Sequence, residues 1–315
     1  MHRRGFTLIE LIVAMGVVAL LIGFIAPAVQ AARENARRAE CRSNLKQIGL
    51  ALQNYDANHG MFPACGVNLV SWHVSLLPFI DQAAVYHQVD YSANEPAAAI
   101  AHVVVRPYLC VSDSAPEVFR GDIAFAATSY LGNSGAGVFA RGFDGVFQHF
   151  QPVFPNQYPE GPVRLGDVTD GSSTTAAVSE VLHSVGGAPT NRLRVVWNLP
   201  ASYGVNEADA FRNACMAIPP EPRIAGWKGS PIQHGWSWVQ GEIGFSTYNH
   251  ALAPSQPSCF NGSQVQLGIY TAASAHHGIV NTLFCDGHVQ LVSPEIHRSV
   301  WEAIGTRNGS ESVSP

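Results

Sequence analysis

The sequence predicts an α+β fold, in which a long N-terminal helix packs on an antiparallel sheet that carries long loops and short helices. Three observations lead to this prediction. An apolar run over residues 6–29 continues into a helical pattern without proline over residues 31–58. Many short strand-like segments follow, separated by glycine and proline. A clear hairpin pattern lies near the C-terminus, over residues 278–292.

The apolar run is long enough to cross a membrane. Between residues 6 and 29, every residue is apolar, small or weakly polar except Glu10. At ~1.5 Å per residue the run reaches roughly 36 Å as a helix, enough for a ~30 Å hydrocarbon core. We therefore predict a transmembrane helix over 6–29. Two alternatives are a secretory signal cleaved near Ala26-Pro27-Ala28 and a plain signal anchor.

The helix is predicted to continue beyond the membrane over residues 30–59. Apolar side chains recur there at spacings of three and four, which is typical of an amphipathic helix. The predicted stripe consists of Val29, Ala32, Ala36, Ala39, Leu45, Ile48, Leu52 and Tyr55. This half should pack on a globular domain formed by residues 60–315.

Glu10 is the unusual residue of the apolar run. A carboxylate inside such a helix costs about 2.5–3.5 kcal/mol on insertion scales, so we expect it to have a function and a partner. The natural partner is a new amine at Phe6, released if the chain is cut after Gly5. In a neighbouring helix shifted along its axis, that amine could meet Glu10 and neutralise it.

The residues around this position resemble the leader junction of type IV prepilins and pseudopilins. The matching segment is Arg3-Arg4-Gly5-Phe6-Thr7-Leu8-Ile9-Glu10. The resemblance implies that residues 1–5 are a leader, that a prepilin peptidase cuts after Gly5 and methylates Phe6, and that Glu10 aligns subunits during assembly. It also implies that other pilin-like subunits and membrane lipid are partners.

The basic residues near the apolar run give a conflicting indication of orientation. Arg3 and Arg4 precede it, whereas Arg33, Arg37, Arg38, Arg42 and Lys46 follow it. Under the positive-inside rule alone, the C-terminal side would lie in the cytoplasm. The resemblance implies the opposite: a cytoplasmic N-terminus, a single pass through the cytoplasmic membrane and an extracytoplasmic domain. The second cluster would then meet lipid phosphates.

Much of the chain also resembles a large family of bacterial prepilin-like proteins of unknown function that carry a C-terminal H-x9-D-G motif. In this sequence the motif is His276, Asp286 and Gly287. Further matching segments are Ser43 to Leu50, Tyr108 to Asp113 and Asp167 to Thr174. The resemblance implies a class and a location but no catalytic chemistry.

The motif is predicted to form a hairpin rather than a catalytic pair. We expect a strand before Asp286, a two-residue type I′ turn at Asp286-Gly287, and a returning strand. Ten extended residues span about 30 Å, so His276 and Asp286 would lie at opposite ends of the strand. Structural roles are therefore expected for both, with His276 fastening the start of the strand or meeting another segment.

The six cysteines form no C-x-x-C pair, which argues against a zinc ribbon. An exported domain permits disulfides, and Cys215 with Cys259 is the first candidate pair; buried thiols are the alternative. We expect no resident metal or other cofactor. The likeness to pseudopilins that bind calcium makes Asp167 and Asp170 weak candidates for Ca²⁺ ligands, although no EF-hand spacing is present.

Composition excludes some classes of function. Charged residues make up only 13% of the chain and the net charge is −5, so nucleic acid is not expected as a partner. Neither a G-x-S-x-G elbow nor an H-E-x-x-H motif occurs, and no enzymatic reaction is expected.

The sequence therefore predicts a pseudopilin or minor pilin-like subunit of a secretion assembly, such as type II secretion, or of a surface fibre. The alternative is a membrane-tethered extracytoplasmic protein that binds polysaccharide or another exported ligand and does not polymerise. Replacing Glu10 with alanine should separate the two, because only an assembling subunit needs the carboxylate.

Overall fold

The computed structural model describes most of the chain, and Gly5 and Phe6 lie outside the described residues. The described ranges are 8–67, 69–93, 95–120, 124–138, 144–149, 161–183, 191–221, 229–230, 234–262 and 264–309. The helices are α1 (Leu8–His59), α2 (Trp72–Leu76), α3 (Ala83–Tyr86), α4 (Ala208–Met216) and α5 (Arg298–Ala303). The strands are β1 (Val118–Arg120), β2 (Ala124–Ala126), β3 (Tyr130–Asn133), β4 (Ala176–Glu180), β5 (Val196–Asn198), β6 (Gly229–Ser230), β7 (Thr247–Tyr248), β8 (Ser258–Asn261), β9 (Gln264–Ile269), β10 (Val280–Phe284) and β11 (Val289–Val292).

Helix α1 is a single 52-residue helix, which confirms the predicted continuation beyond the apolar run. At 1.5 Å per residue it is about 78 Å long. Its two parts differ in burial. Every side chain in the exposed half (8–33) is open to the surroundings, whereas the docked half (34–59) packs on the domain.

The predicted apolar stripe of α1 is wrong in its first part. Val29, Ala32, Ala36 and Ala39 are exposed, and fully buried positions begin at Cys41. The packed face instead runs from Leu45 back through Cys41 to Glu34, which is half-buried. The packed face differs from the predicted one because a disulfide and an ion pair fasten this end of α1 to the domain. A pattern of hydrophobic residues does not reveal such contacts.

The main sheet has five strands in the order β11-β10-β4-β3-β7. The expected antiparallel pairing holds for β11 with β10, β10 with β4, and β4 with β3. It does not hold for β7, which pairs with β3 in parallel. More than a hundred residues separate β3 from β7, and a connection of that kind permits a parallel pairing, which a tight turn cannot make. The sheet is therefore mixed, and the fold is α+β as predicted.

The two faces of the main sheet belong to different cores. Tyr130, Val178 and Leu283 pack with the docked half of α1. Their strand neighbours Leu131 and Phe284 point to the other side, where α5 covers them. This period-two alternation places α1 across one face of the sheet, against β10 and β11.

A second, four-stranded sheet has the order β6-β5-β8-β9 and packs with α4 in a separate apolar cluster. Here too one pair is parallel, β5 with β8. Strands β1 and β2 form a small antiparallel pair of their own.

Candidate functional site

The hairpin of β10 and β11 has a different turn from the predicted type I′. Gly287 N–H donates to Phe284 O at 2.9 Å, and Phe284 N–H donates to His288 O at 2.9 Å. Gly287 has φ +87°, whereas Asp286 is not among the residues with positive φ. Type I′ needs positive φ at both central residues, so the turn is instead a three-residue loop closed by a left-handed glycine. Asp286 Oδ1 accepts from His288 N–H at 2.9 Å, and this hydrogen bond stabilises the turn.

This turn lies on the docked half of α1. Lys46 Nζ donates to Gly287 O at 2.8 Å, and Gln53 Nε2 donates to Asp286 O at 2.7 Å. The approach is close enough that a Cβ at Gly49 would come within 2.8 Å of Leu283 Cδ1. Glycine at this helix position therefore lets the hairpin pack directly on α1.

His276 contacts the same helix much nearer the membrane end. Its Nδ1 lies 2.9 Å from Glu34 Oε1, and the residue is only 2% exposed. Its Nε2 faces inward, 3.5 Å from Cys110 Sγ and 3.8 Å from Glu180 Oε1. The imidazole thus joins a helix carboxylate to the buried end of strand β4.

Two carboxylates flank His276 and titrate in opposite directions. The hydrogen bond with His276 and the neighbouring Arg37 lower the pKa of Glu34 to about 2, against the effect of burial. Burial raises the pKa of Glu180, although Asn281 donates to it through its backbone N–H (3.0 Å) and its amide (2.9 Å). The outer carboxylate is ionised over the physiological range.

The segment from His276 to Gly287 therefore clamps α1 at two points. Glu34 and Gln53 are about 28 Å apart along a helix axis, close to the roughly 30 Å that ten extended residues cover. His276 and Asp286 lie at opposite ends of this segment, so they do not form a catalytic pair. The predicted strand runs beside the helix and fastens to it at both ends.

A disulfide joins α1 to the domain next to His276. Cys41 in the docked half is bonded to Cys110, with the Cα atoms 4.9 Å apart. We refer to Glu34, Cys41, Cys110, Glu180 and His276 as the junction cluster. The second disulfide joins Cys215 of α4 to Cys259 of β8, the pair singled out from the sequence. Cys65 and Cys285 are buried thiols.

Four of the five basic residues that follow the apolar run bind Glu34 or the hairpin. Arg37 and Arg38 pair with Glu34 at 2.6 and 3.4 Å. Arg42 Nη2 lies 3.5 Å from Val289 O, and Lys46 binds the hairpin turn. These contacts lie beside the hairpin, so the cluster has a structural use besides the expected contact with lipid phosphates.

The two aspartates named as weak calcium candidates serve separate local contacts. Asp167 Oδ2 accepts from Arg164 N–H at 2.8 Å and caps a short 3₁₀ turn. Asp170 Oδ2 accepts from Gly309 N–H at 2.6 Å and from Thr306 Oγ1 at 3.3 Å. Each carboxylate thus accepts hydrogen bonds from groups in its own neighbourhood.

One group of side chains has the composition of a hydrolase triad but not its geometry. His183 Nδ1 lies 3.0 Å from Asp113 Oδ2 and 3.4 Å from Ser129 Oγ. A triad needs the serine and the carboxylate on opposite ring nitrogens, but here both face Nδ1. Nε2 lies 3.2 Å from Pro116 O. Arg194 completes a buried ion pair with Asp113 at 2.6 Å, so the group is structural.

Sequence reasoning found His276 but missed its partners Glu34, Cys41, Cys110 and Glu180. One pattern could have linked two of them: Cys41 lies two helical turns after Glu34 and therefore on the same face of α1. Nothing in the sequence pairs Glu180 with His276, because the contact depends on the register of β4 and β10.

The exposed half of α1 is the one described helix long and apolar enough to cross a membrane, and none of its most apolar window is buried. Glu10 lies within it and is exposed. Residues 1–26 match the prokaryotic N-terminal methylation motif. A membrane-length helix with this motif, continued onto an α+β domain, defines a type IV prepilin-like, membrane-anchored protein.

The chain belongs to the family described as "Protein of unknown function (DUF1559)", which matches residues 30–299. That match covers nearly all of the domain and the docked half of α1. No curated protein and no solved structure matches the chain.

Proposed function

We propose that the chain is a pseudopilin or minor pilin-like structural subunit of a secretion or surface-fibre assembly. Prepilin peptidase would cut after Gly5 and methylate Phe6. The exposed half of α1 would then anchor the subunit in the cytoplasmic membrane and take part in assembly, with the domain on the extracytoplasmic side.

One observation carries this proposal: within the part of the chain that the structure describes, nothing covers the exposed half. Large apolar side chains stand open along it, among them Leu8 at 75%, Phe24 at 71% and Met15 at 65% exposed. An apolar surface of this length is unfavourable in water. Lipid covers it in the anchored form, and helices of other pilin-like subunits would cover it in a polymer.

Glu10 supports a polymer over a plain anchor. A carboxylate in the apolar helix adds an insertion cost and gives an anchor no benefit. The amine of a processed Phe6 on an adjacent subunit would neutralise it. This pairing would also set the axial shift between neighbouring helices.

Processing can be tested by mass spectrometry of the N-terminus of the protein purified from its native host. The proposal requires a mature chain that starts at N-methyl-Phe6. A chain that retains Met1, or one that starts after Ala28, contradicts it.

Assembly can be tested separately with Glu10→Ala. The variant should be processed and inserted normally but should fail to co-purify with other pilin-like subunits after crosslinking in the membrane. Val17→Ala in the same half is the matched control and should assemble as the wild type does. Wild-type chain that crosslinks to no pilin-like subunit would instead support the rival function, a membrane-tethered binding protein that does not polymerise. Normal crosslinking of Glu10→Ala would show that assembly does not need the carboxylate.

The rival function would need a ligand site on the domain. A cavity of about 190 Å³ lies between Val70, Ala97, Phe125 and Val239, with Glu242 at its edge. Small-molecule sites usually measure about 300–1,000 Å³. This cavity is small for an oligosaccharide, whereas a second cavity of about 360 Å³ beside Asp167 and Arg307 lies within that range. We rank the tethered binder second because neither cavity accounts for Glu10 in the apolar run. We propose no enzymatic reaction for either form.

A further inference from the structure

The junction cluster holds four potential metal ligands in one place. One donor atom each from Cys41, Cys110, Glu180 and His276 lies within 4.8 Å of every other. All four residues are buried, with exposures of 0%, 5%, 1% and 2%. Two sulfurs, an imidazole and a carboxylate are ligand types that zinc accepts.

The spacing of the donors also suits zinc. Bond lengths of about 2.3 Å to sulfur and about 2.0–2.2 Å to nitrogen and oxygen put neighbouring ligands of a tetrahedron roughly 3.3–3.8 Å apart. His276 Nε2 lies 3.5 Å from Cys110 Sγ and 3.8 Å from Glu180 Oε1. The donor atoms of the four residues all lie within 4.8 Å of one another, so any pair beyond 3.8 Å would have to close, and the two sulfurs would separate once they are no longer bonded.

The residues around these ligands are arranged as in a metal site. Glu34 accepts from His276 Nδ1, which leaves the Nε2 lone pair directed at the cluster. Asn281 holds Glu180 with two hydrogen bonds. A carboxylate behind a histidine and a fixed carboxylate ligand are what zinc centres use to orient their ligands.

We propose that the thiol form of this chain binds one Zn²⁺ through Cys41, Cys110, His276 and Glu180. Cysteines are synthesised as thiols, so this form precedes the disulfide. Binding forms two Zn–S bonds, one Zn–N bond and one Zn–O bond. The two thiol protons pass to solvent, as does any proton on Glu180.

The metal and the disulfide would exclude each other. Oxidation removes two electrons from the sulfurs and joins them, which leaves no thiolate to bind zinc. Either state fastens the docked half of α1 to the domain at the same point. The site therefore departs from the sequence-based expectation of no resident metal, and it does not depend on the proposed assembly function.

The test uses the full chain in detergent micelles. A phosphine reduces the disulfide, becoming a phosphine oxide with oxygen from water, and is removed under anaerobic conditions. Co²⁺ is then added as a spectroscopic probe. We expect one Co²⁺ per chain, a thiolate-to-cobalt band, tetrahedral ligand-field bands, and displacement by one equivalent of Zn²⁺. The oxidised chain should show none of these.

Three variants locate the site. Cys41→Ser with Cys110→Ser should lose the thiolate band, whereas Cys65→Ser with Cys285→Ser should retain it. Because loss of the disulfide could itself unfold the chain, Glu34→Gln keeps all four ligands and tests the outer contact. It should weaken Zn²⁺ affinity about 10–100-fold at unchanged stoichiometry.

The proposal is overturned if reduced wild-type chain gives no thiolate band. It is also overturned if the band survives Cys41→Ser with Cys110→Ser, if it disappears in the Cys65→Ser, Cys285→Ser variant, or if Glu34→Gln binds Zn²⁺ as tightly as the wild type.

Discussion

The exposed and docked halves of α1 form one continuous helix but are stabilised in different ways. The exposed half carries large apolar side chains with none of its most apolar window buried. The docked half carries many charged residues, yet Leu45, Ile48 and Ala51 are completely buried. Hydropathy alone would rank the first half as the better core helix. The difference shows that each half is stabilised by the environment it contacts, and that apolar content alone does not tell which environment that is.

The largest effect should come from truncating a side chain at the centre of the docked half. Leu45→Ala leaves a cavity against the sheet and should lower the free energy of unfolding by about 2–5 kcal/mol. Leu21→Ala removes the same atoms from the exposed half and should leave the stability of the domain unchanged. Chemical denaturation in micelles, followed by tryptophan fluorescence, measures both. Equal losses for the two variants would erase the distinction between the halves.

Low pH should also destabilise the domain while leaving the exposed half of α1 unaffected. Burial by itself would raise the pKa of Asp113, but His183 and Arg194 overcome this and hold the pKa well below its usual range. A lowered pKa contributes stability that is complete above the unfolded pKa of about 3.9 and is lost as pH falls below it. We expect a loss on the order of 2 kcal/mol from this group between pH 5 and pH 2.

Unfolding curves at several pH values measure this loss, and circular dichroism reports whether the exposed half stays helical in micelles. Asp113→Asn is the control: it should be less stable at pH 7, because Arg194 loses its partner, and should depend less steeply on pH. A variant with the slope of the wild type would show that another group causes the acid sensitivity.

Each half of α1 contains a glycine at which the same substitution, glycine to valine, can be made and its effects compared. Gly49→Val places a Cβ about 2.8 Å from Leu283 Cδ1 and should cost about 1–3 kcal/mol through overpacking. Gly23→Val meets nothing within 4 Å and gains only helix propensity. Thermal unfolding of the domain should therefore shift for the first variant alone. A neutral Gly49→Val would mean that the hairpin can move away from α1 at little cost.

The smallest effect is expected at the edge of the packing between α1 and the β10–β11 hairpin. Lys46→Met removes the hydrogen bond to Gly287 O but keeps most of the aliphatic stem, so it should cost no more than about 1 kcal/mol. Arg33→Met, in the exposed half, is the control and should leave domain stability unchanged. A loss well above 1 kcal/mol would show that the turn contributes more to docking than its exposure indicates.

The parts of the fold that follow from short-range pattern could be predicted from the sequence. The long helix follows from an uninterrupted run, and the last hairpin follows from Asp286-Gly287 between two apolar segments. The turn type was wrong, because a single left-handed glycine is enough when the loop has three residues. The parallel pairing of β7 with β3 was missed, because no local signal reports which distant strand lies alongside.

The candidate site was only partly predictable. His276 could be named from the resemblance, and a role in meeting another segment could be expected from its distance to Asp286. Its contacts could not be predicted, because Glu34, Cys110 and Glu180 are brought together by register and packing over separations of up to 242 residues. Apolar periodicity also chose the wrong face for the first turns of the docked half, where polar and covalent contacts replace hydrophobic ones.

The bond between Cys41 and Cys110 has a consequence for how the protein responds to proteolysis. A single cut anywhere between these cysteines leaves the two fragments covalently joined, since the disulfide bridges the break. The domain would therefore stay attached to its anchor after such nicking, and shedding into the medium would require either a reductant as well or a cut outside the segment between the two cysteines.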